Sequence, residues 1–171
     1  MGTTLKLTRT LVELPSVTPD DAGCQRLLAD RLEPQGFTTE WFQFGDVSNV
    51  LFTHGQAGGP DAPSLWFLGH TDVVPPGPLD DWTSPPFKAD VRDGVLYGRG
   101  TADMKGAVAA MVTAAEALVL EHPDHAGQVG ILLTSDEEGV AVDGVKRVAE
   151  VLRARNGAPQ YCVVGEPSNH T

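Results

Sequence analysis

Apolar residues follow two different periods along this chain, and the periods predict alternating helices and strands. Across residues 104–120, Ala, Met, Leu and Val recur every three or four positions, which predicts the strongest helix. Residues 129–134 and 161–164 are short, continuously apolar runs, which are typical of buried strands. The same patterns place further helices at residues 5–14, between Pro19 and Pro34 and at 142–154, further strands at 38–44, 49–53 and 64–68, and a hairpin of 87–91 with 95–97.

This order of elements predicts the fold class. Strands that alternate with helices, several of them apolar along their whole length, indicate an α/β fold: a three-layer sandwich with a mixed, largely parallel sheet. The 171 residues form one domain by length, and we find no internal repeat. In such sheets, ligands bind beyond the carboxyl ends of the strands. The segments that follow the predicted strands are therefore the places to search for chemistry.

The charge of the chain narrows the class of partner. A formal net charge of -11 argues against nucleic acid or an anionic membrane as the main partner. Most acidic residues are explained by solubility. Clustered Asp and Glu at strand ends are the exception, because packing carboxylates together is costly unless cations neutralise them.

The cysteines and the first residues indicate a cytoplasmic protein. Cys24 and Cys162 are far apart and lack a metal-binding spacing, which suits a reducing compartment and two small buried thiols. Counting alone leaves a disulfide between them open. The first residues lack the charged-then-apolar pattern of a signal peptide, and no apolar run approaches the length of a membrane span.

Four motifs follow predicted strands and carry candidate chemistry. The first, G-H-T-D-V-V-P-P-G at residues 69–77, places His70 and Asp72 two positions apart, so that both point to one face of an extended segment. An Asp in that place can accept from one imidazole nitrogen and leave the other for a metal. The other motifs are G-R-G-T-A-D-M-K-G at 98–106, T-S-D-E-E-G at 134–139 and V-V-G-E-P-S at 163–168. One imidazole with several carboxylates indicates a pair of hydrolytic metal ions.

Each candidate residue also has an ordinary structural explanation. His70 and Asp72 could form a structural hydrogen bond, and Asp103 could cap the following helix. Glu137 and Glu138 lie in an acidic run of the kind that is usually solvated, and Glu166 could be an exposed strand-end residue. These explanations do not account for the coincidence of all four motifs at one predicted sheet edge.

The ordered motifs resemble those of the co-catalytic zinc amidohydrolases and metallopeptidases, a family that includes acetylornithine deacetylases, aminoacylases and glutamate carboxypeptidases. The resemblance covers essentially the whole chain and extends to W-T-S-P-P-F at residues 82–87. Within the family, these stretches are most similar to the succinyl-diaminopimelate desuccinylases. The implied reaction is hydrolysis of a small N-acyl amino acid, N-succinyl-LL-2,6-diaminopimelate, to succinate and LL-diaminopimelate, in lysine biosynthesis.

The resemblance also implies the metals and their ligands. Two Zn²⁺ ions are expected, with Co²⁺ as an alternative metal. His70, Asp103 and Glu166 would bind the first ion, and Asp103 would bridge to a second that Glu138 binds. The peptide bond after Asp103 is expected to be cis.

Two further residues would act beside the metals. The resemblance implies that Asp72 orients His70. It also implies that Glu137 is the general base, which accepts a proton from the attacking water.

The chain departs from the family pattern in one respect. The second zinc of the family takes another histidine from a later part of a longer chain, and His54, His122, His125 and His170 match no ligand position. The family also inserts a smaller domain that forms a homodimer. We therefore expect residues 1–171 to be an incomplete catalytic domain, without the dimerisation domain, that holds one zinc more securely than the second and hydrolyses substrate weakly or not at all.

Two alternatives to desuccinylation remain open at this point. The chain could belong to a deacetylase or dipeptidase of the same family, because the deacetylases share the motif frame. It could instead be a non-catalytic fragment that binds metal or a partner chain. Comparing the turnover of succinylated and acetylated substrates distinguishes a desuccinylase from the first alternative. Metal binding without turnover favours the second alternative.

Overall fold

The computed structural model describes residues 2–59 and 61–168, and its centre is a twisted five-stranded sheet. The strand order is β1-β2-β6-β3-β7. β2 is antiparallel to both of its neighbours, whereas β3 is parallel to both β6 and β7, so that only β2 runs against the other strands of this sheet. The strands are β1 (Thr38–Phe44), β2 (Val47–Gln56), β3 (Ser64–His70), β6 (Gly127–Thr134) and β7 (Tyr161–Val164), and β4 (Asp90–Arg92) with β5 (Val95–Tyr97) forms a separate hairpin.

Helices cover both faces of the sheet. They are α1 (Thr3–Val12), α2 (Cys24–Leu32), α3 (Gly106–Glu121) and α4 (Val145–Ala154). The larger core packs α1, α2 and α3 against the face that carries Phe52, Ile131 and Leu133. The smaller core packs Val148 and Leu152 of α4 against the opposite face. Both faces of the sheet are therefore buried, and the predicted three-layer sandwich is confirmed.

Most predicted elements lie where the periodicity places them. β1 and β7 have the predicted bounds, whereas β2 and β6 are longer than predicted because their pairing continues past the apolar residues. α3 begins at Gly106 because residues 101–105 wind irregularly, with Asp103 and Met104 outside helical φ and ψ. None of the described helices is long and apolar enough to cross a bilayer.

Three expectations about strand placement and burial are wrong. The segment of Asp103 does not follow a strand of the five-stranded sheet, as the other three motifs do, because β5 belongs to the separate hairpin and exposes Val95 and Tyr97. β7 is an edge strand whose four residues are all exposed, so that Cys162 is an exposed free thiol and only Cys24 is buried. An apolar run is equally consistent with an edge strand, which periodicity cannot distinguish from a central one.

Lys105 ties the end of α1 to the start of α3. Its side chain is 1% exposed. Its Nζ donates to the backbone oxygens of Leu11 and Leu14, at 2.8 and 2.7 Å. These carbonyls lie at and just beyond the end of α1, and each already accepts one backbone N–H, so the ammonium group supplies a second donor to each.

Replacing Lys105 with methionine should destabilise the fold. The carbonyls of Leu11 and Leu14 would each lose one of two donors, and relief of the buried charge would offset part of that cost, which leaves a net loss of about 1 kcal/mol. Urea unfolding of Lys105→Met beside Lys146→Met, at an exposed lysine of α4, measures the difference. Equal unfolding midpoints for the two variants would show that the buried ammonium contributes nothing.

Candidate metal centre

His70 is the last residue of β3 and forms the centre of the candidate site. It is almost completely buried, and its Nδ1 lies 2.9 Å from the backbone oxygen of Asp72. A carbonyl can only accept, so Nδ1 carries the proton in the neutral tautomer. The other ring nitrogen, Nε2, then has a free lone pair that faces the acidic side chains.

Three carboxylates from different segments approach Nε2 of His70. The distances are 3.0 Å to Oδ1 of Asp103, 3.5 Å to Oε2 of Glu166 and 3.9 Å to Oε2 of Glu137. Asp103 precedes α3, Glu137 follows β6 and Glu166 follows β7. The three neighbouring parallel strands β6, β3 and β7 therefore contribute to the site, as expected for a site at the carboxyl ends of strands.

The ligand atoms form two overlapping groups. One consists of His70, Asp103 and Glu166, and the other of His70, Glu137 and Glu138; within each group the ligand atoms lie within 4.8 Å of one another. One imidazole with carboxylate oxygens is a donor set that suits Zn²⁺ and related divalent ions. The side chains of Asp103, Glu137 and Glu166 are 48%, 47% and 39% exposed, so a cation can reach them from solvent. The residues present therefore fit a metal.

Asp72 connects the segment of His70 to the segment of Glu137 and Glu138 through its carboxylate. Its side chain is fully buried and accepts from the backbone N–H groups of Glu137, at 3.2 Å, and Glu138, at 3.1 Å. Oδ1 of Asp72 is 3.5 Å from Nδ1 of His70, farther than the backbone oxygen of the same residue. The Asp72 side chain thus holds the segment of the paired glutamates, while its backbone oxygen is the nearer partner of the imidazole.

The pKa values show that this cluster favours positive charge. Burial alone lowers the pKa of His70, but its interactions with Asp72 and Glu166 outweigh burial and raise it to about 9. Burial, with the negative charge of Asp103 and its neighbours, raises the pKa values of Glu138 and Glu166. Burial also opposes ionisation of Asp72, yet its hydrogen bonds lower its pKa. Cations are stabilised here, and a bound metal ion would replace the proton on His70.

Met104 and two glycines determine how closely the ligand segments approach. Gly69 precedes His70, and Gly165 precedes Glu166. A Cβ atom at Gly69 or Gly165 would lie 2.6 or 2.8 Å from the Cε of Met104. Met104 is fully buried and follows Asp103, whose peptide bond to it is cis, as the resemblance implies. Sequence reasoning did not assign a role to Met104, although a glycine directly before each of two ligands was a signal of close packing.

A buried polar cluster lies behind the ligands, and the motifs did not reveal it. We define this buried polar cluster as the buried residues Ser16, Gln25 and Thr71 with the partly buried residues Asp21 and Ser48. Thr71, between His70 and Asp72, donates from its hydroxyl to Oδ1 of Asp21 at 2.6 Å. Burial raises the pKa of Asp21 from 3.8 to about 6, against the hydrogen bonds from Thr71 and the Gln25 backbone and the charge of Lys105.

Asp21 should make stability depend on pH. Between pH 3.8 and about 6 the folded chain holds a proton on Asp21 that the unfolded chain has lost, so the free energy of unfolding falls as pH rises through that window. The loss is up to about 3 kcal/mol and is complete above the folded pKa. Unfolding of Asp21→Asn beside the unsubstituted chain at pH 4 and pH 7 isolates this contribution. A difference between the two chains that stays constant with pH would contradict it.

Other histidines of the described residues lie outside the candidate site. His54 and His125 pair with each other, with Nδ1 of His54 at 2.9 Å from Nε2 of His125. His122 is exposed after α3. His170 lies outside the described residues.

Comparisons with known proteins show the family of this chain. Residues 66–171 match the family described as Peptidase family M20/M25/M40. The chain is 54% identical over 169 residues to the succinyl-diaminopimelate desuccinylase of Methylococcus capsulatus and 57% identical to that of Stenotrophomonas maltophilia. Each match covers 99% of this chain but only 44% of the relative, so the chain spans less than half the length of these relatives.

Solved structures with low sequence identity share the fold. A metallo-carboxypeptidase from Sulfolobus solfataricus superimposes with a TM-score of 0.83 at 19% identity, covering 98% of this chain and 38% of that one. A dinuclear metal binding peptidase from Bacillus subtilis superimposes with a TM-score of 0.59 at 21% identity, covering 87% of this chain and 39% of that one. Proteins with this fold thus include one described as a dinuclear metal binding peptidase.

Proposed function

We propose that this chain, which belongs to peptidase family M20/M25/M40, supplies most of the metal centre of an amidohydrolase. The observation that carries the proposal is the convergence of His70 Nε2 with carboxylates from three separate segments. Its substrate would be N-succinyl-LL-2,6-diaminopimelate, the choice supported by 54–57% identity to relatives named desuccinylases.

Each residue has a proposed task. His70, Asp103 and Glu166 would hold a first divalent ion, Zn²⁺ or Co²⁺, and Asp103 and Glu138 would hold a second. Bound metals would polarise the amide carbonyl, lower the pKa of water and stabilise the developing oxyanion.

Glu137 would carry the proton during hydrolysis. Half of its side chain is exposed, and its backbone N–H is held by Asp72, so the carboxylate is free to face a substrate. It accepts a proton from the attacking water and returns that proton to the leaving amine. Cleavage of the amide then yields succinate and the free amino group.

The two metal sites should differ in strength. Within the described residues, His70 is the only imidazole in either ligand group, so a second ion would depend on carboxylates alone. We propose that residues 1–171 bind the first ion more tightly and hydrolyse substrate slowly. The complete enzyme would be a cytoplasmic homodimer, with its dimerisation domain outside these residues.

Turnover measurements test the proposed substrate. Succinylated and acetylated diaminopimelate, with acetylornithine as a third substrate, would be assayed with residues 1–171 and with the longest polypeptide that the reading frame encodes. We expect the longer polypeptide to hydrolyse the succinylated substrate at least about tenfold faster by kcat/KM, a discrimination of roughly 1.4 kcal/mol. Faster hydrolysis of acetylornithine would favour a deacetylase, and metal binding without any turnover would favour a non-catalytic role.

A further inference from the structure

Thr71 lies between two residues of the candidate metal centre but bonds away from the candidate ligands. His70, Thr71 and Asp72 are each at most 1% exposed. The Thr71 hydroxyl donates to Oδ1 of Asp21 at 2.6 Å and lies 3.4 Å from Nε2 of Gln25. The buried polar cluster therefore holds the middle of the segment whose two ends face the metal centre.

The backbone of Thr71 is held as well. Its N–H donates to the oxygen of Thr134 at 2.8 Å, and its oxygen accepts from the hydroxyl of Ser16 at 2.6 Å. With the hydroxyl bound to Asp21, the donor and acceptor groups of Thr71 are satisfied, as a buried polar residue requires. The orientation of the peptide planes that flank His70 and Asp72 is fixed by these partners.

Gln25 extends the cluster to the second ligand segment. Its Nε2 donates to the oxygen of Ser48 at 2.9 Å, and its Oε1 accepts from the Ser48 hydroxyl at 2.8 Å. The Ser48 N–H in turn donates to the hydroxyl of Ser135 at 3.0 Å, and Ser135 stands two residues before Glu137. The cluster thus links the segments that carry His70 and the paired glutamates.

Asp21 is an unfavourable residue for stability alone. Burial raises its pKa, which means that the ionised carboxylate is destabilised where it lies. It begins the turn before α2, where its Oδ2 accepts from the Gln25 N–H at 2.9 Å. The hydrogen bond to the Gln25 N–H caps the start of α2 and needs no contact with Thr71. The short hydrogen bond from Thr71 therefore needs a separate explanation.

We propose that Asp21, acting through the hydroxyl of Thr71, is a positioning residue for the metal centre. It holds the His70–Asp72 segment so that Nε2 of His70 faces the carboxylates while Asp72 holds the glutamate segment. This inference rests on the proposed function, because it assigns Asp21 a role toward the metal ligands. Residues of this kind orient metal ligands without touching the metal. In other proteins their loss weakens metal affinity by roughly 10–100-fold.

The test uses Co²⁺ as a spectroscopic probe with residues 1–171. Visible absorption during Co²⁺ titration gives both the dissociation constant and the ligand geometry of Asp21→Asn, Thr71→Val and Thr71→Ser. Asp20→Asn is the matched control, because Asp20 is exposed and adjacent, and its carboxylate caps only the local turn through the Ala22 N–H. Thermal unfolding of each variant shows whether it remains folded.

We expect Thr71→Val, which cannot donate to Asp21, to bind Co²⁺ about 10–100-fold more weakly, with altered absorption bands. Asp21→Asn should weaken binding less, because its amide oxygen can still accept from the Thr71 hydroxyl. Thr71→Ser, which keeps the hydroxyl, should restore both, and Asp20→Asn should match the unsubstituted chain. Folded variants with unchanged affinity and spectrum would overturn the positioning role. If Asp21→Asn does not fold, the Co²⁺ affinities and spectra of Thr71→Val and Thr71→Ser are sufficient to test the positioning role. If the unsubstituted chain binds no Co²⁺, the proposed metal centre itself is wrong and the inference falls with it.

Discussion

Replacing His70 with alanine should abolish tight metal binding by this chain. His70 is the residue that the two candidate ligand groups share, and it supplies their only nitrogen donor. Loss of an outer partner of a ligand costs up to about 100-fold in affinity, so loss of the ligand itself should cost more than that. Zinc titration of His70→Ala by competition with a chromophoric chelator measures the change.

A matched histidine controls for the loss of an imidazole from the chain. His122 is exposed after α3 and belongs to neither ligand group, so His122→Ala should bind zinc as the unsubstituted chain does. Unfolding midpoints of both variants separate lost ligation from lost folding. Retention of tight zinc binding by a folded His70→Ala would mean that the metal lies elsewhere.

Replacing Glu137 with glutamine should slow hydrolysis by about 10²–10⁴-fold, because an amide cannot take the proton of the attacking water. The shape of the side chain is kept, and its backbone N–H remains available to Asp72. The effect should fall on kcat with little change in metal content. Initial rates with the succinylated substrate, on the longest polypeptide of the reading frame, measure it.

Substitutions of two other glutamates of this chain are the controls for Glu137→Gln. Glu138→Gln should lower the metal content, because Glu138 is a proposed ligand and not the proton carrier. Glu150→Gln, at an exposed position of α4, should change neither quantity. A Glu137→Gln enzyme that keeps nearly full kcat would remove Glu137 from the proposed chemistry.

The main elements of the fold could be predicted because their patterns are local. The apolar spacing of α3 and the apolar run of β6 each have one structural explanation at their length. The edge position of β7 could not be predicted, because the same run of β-branched residues suits a central strand. The hairpin β4–β5 was found, but its separation from the main sheet depends on tertiary packing that no local pattern encodes.

The candidate ligands could be identified because each stands at a recognisable motif. His70, Glu137 and Glu166 follow strands that the sheet topology brings together, so motif order alone predicted their proximity. The hydrogen bonds from the Glu137 and Glu138 backbone to the Asp72 carboxylate could not be predicted, because they depend on the geometry of the loop after β6. Asp21 was expected merely to start a helix, because its partner Thr71 is 50 residues away.

The position of a bound metal ion tests most directly whether His70, Asp103 and Glu166 form a metal site. Crystals of the chain grown with Zn²⁺ would be measured at the zinc absorption edge, and an anomalous difference map would locate the ion. We expect a peak about 2.0–2.2 Å from Nε2 of His70 and from carboxylate oxygens of Asp103 and Glu166. A zinc peak at the His54–His125 pair, with none beside His70 in saturated crystals, would contradict it.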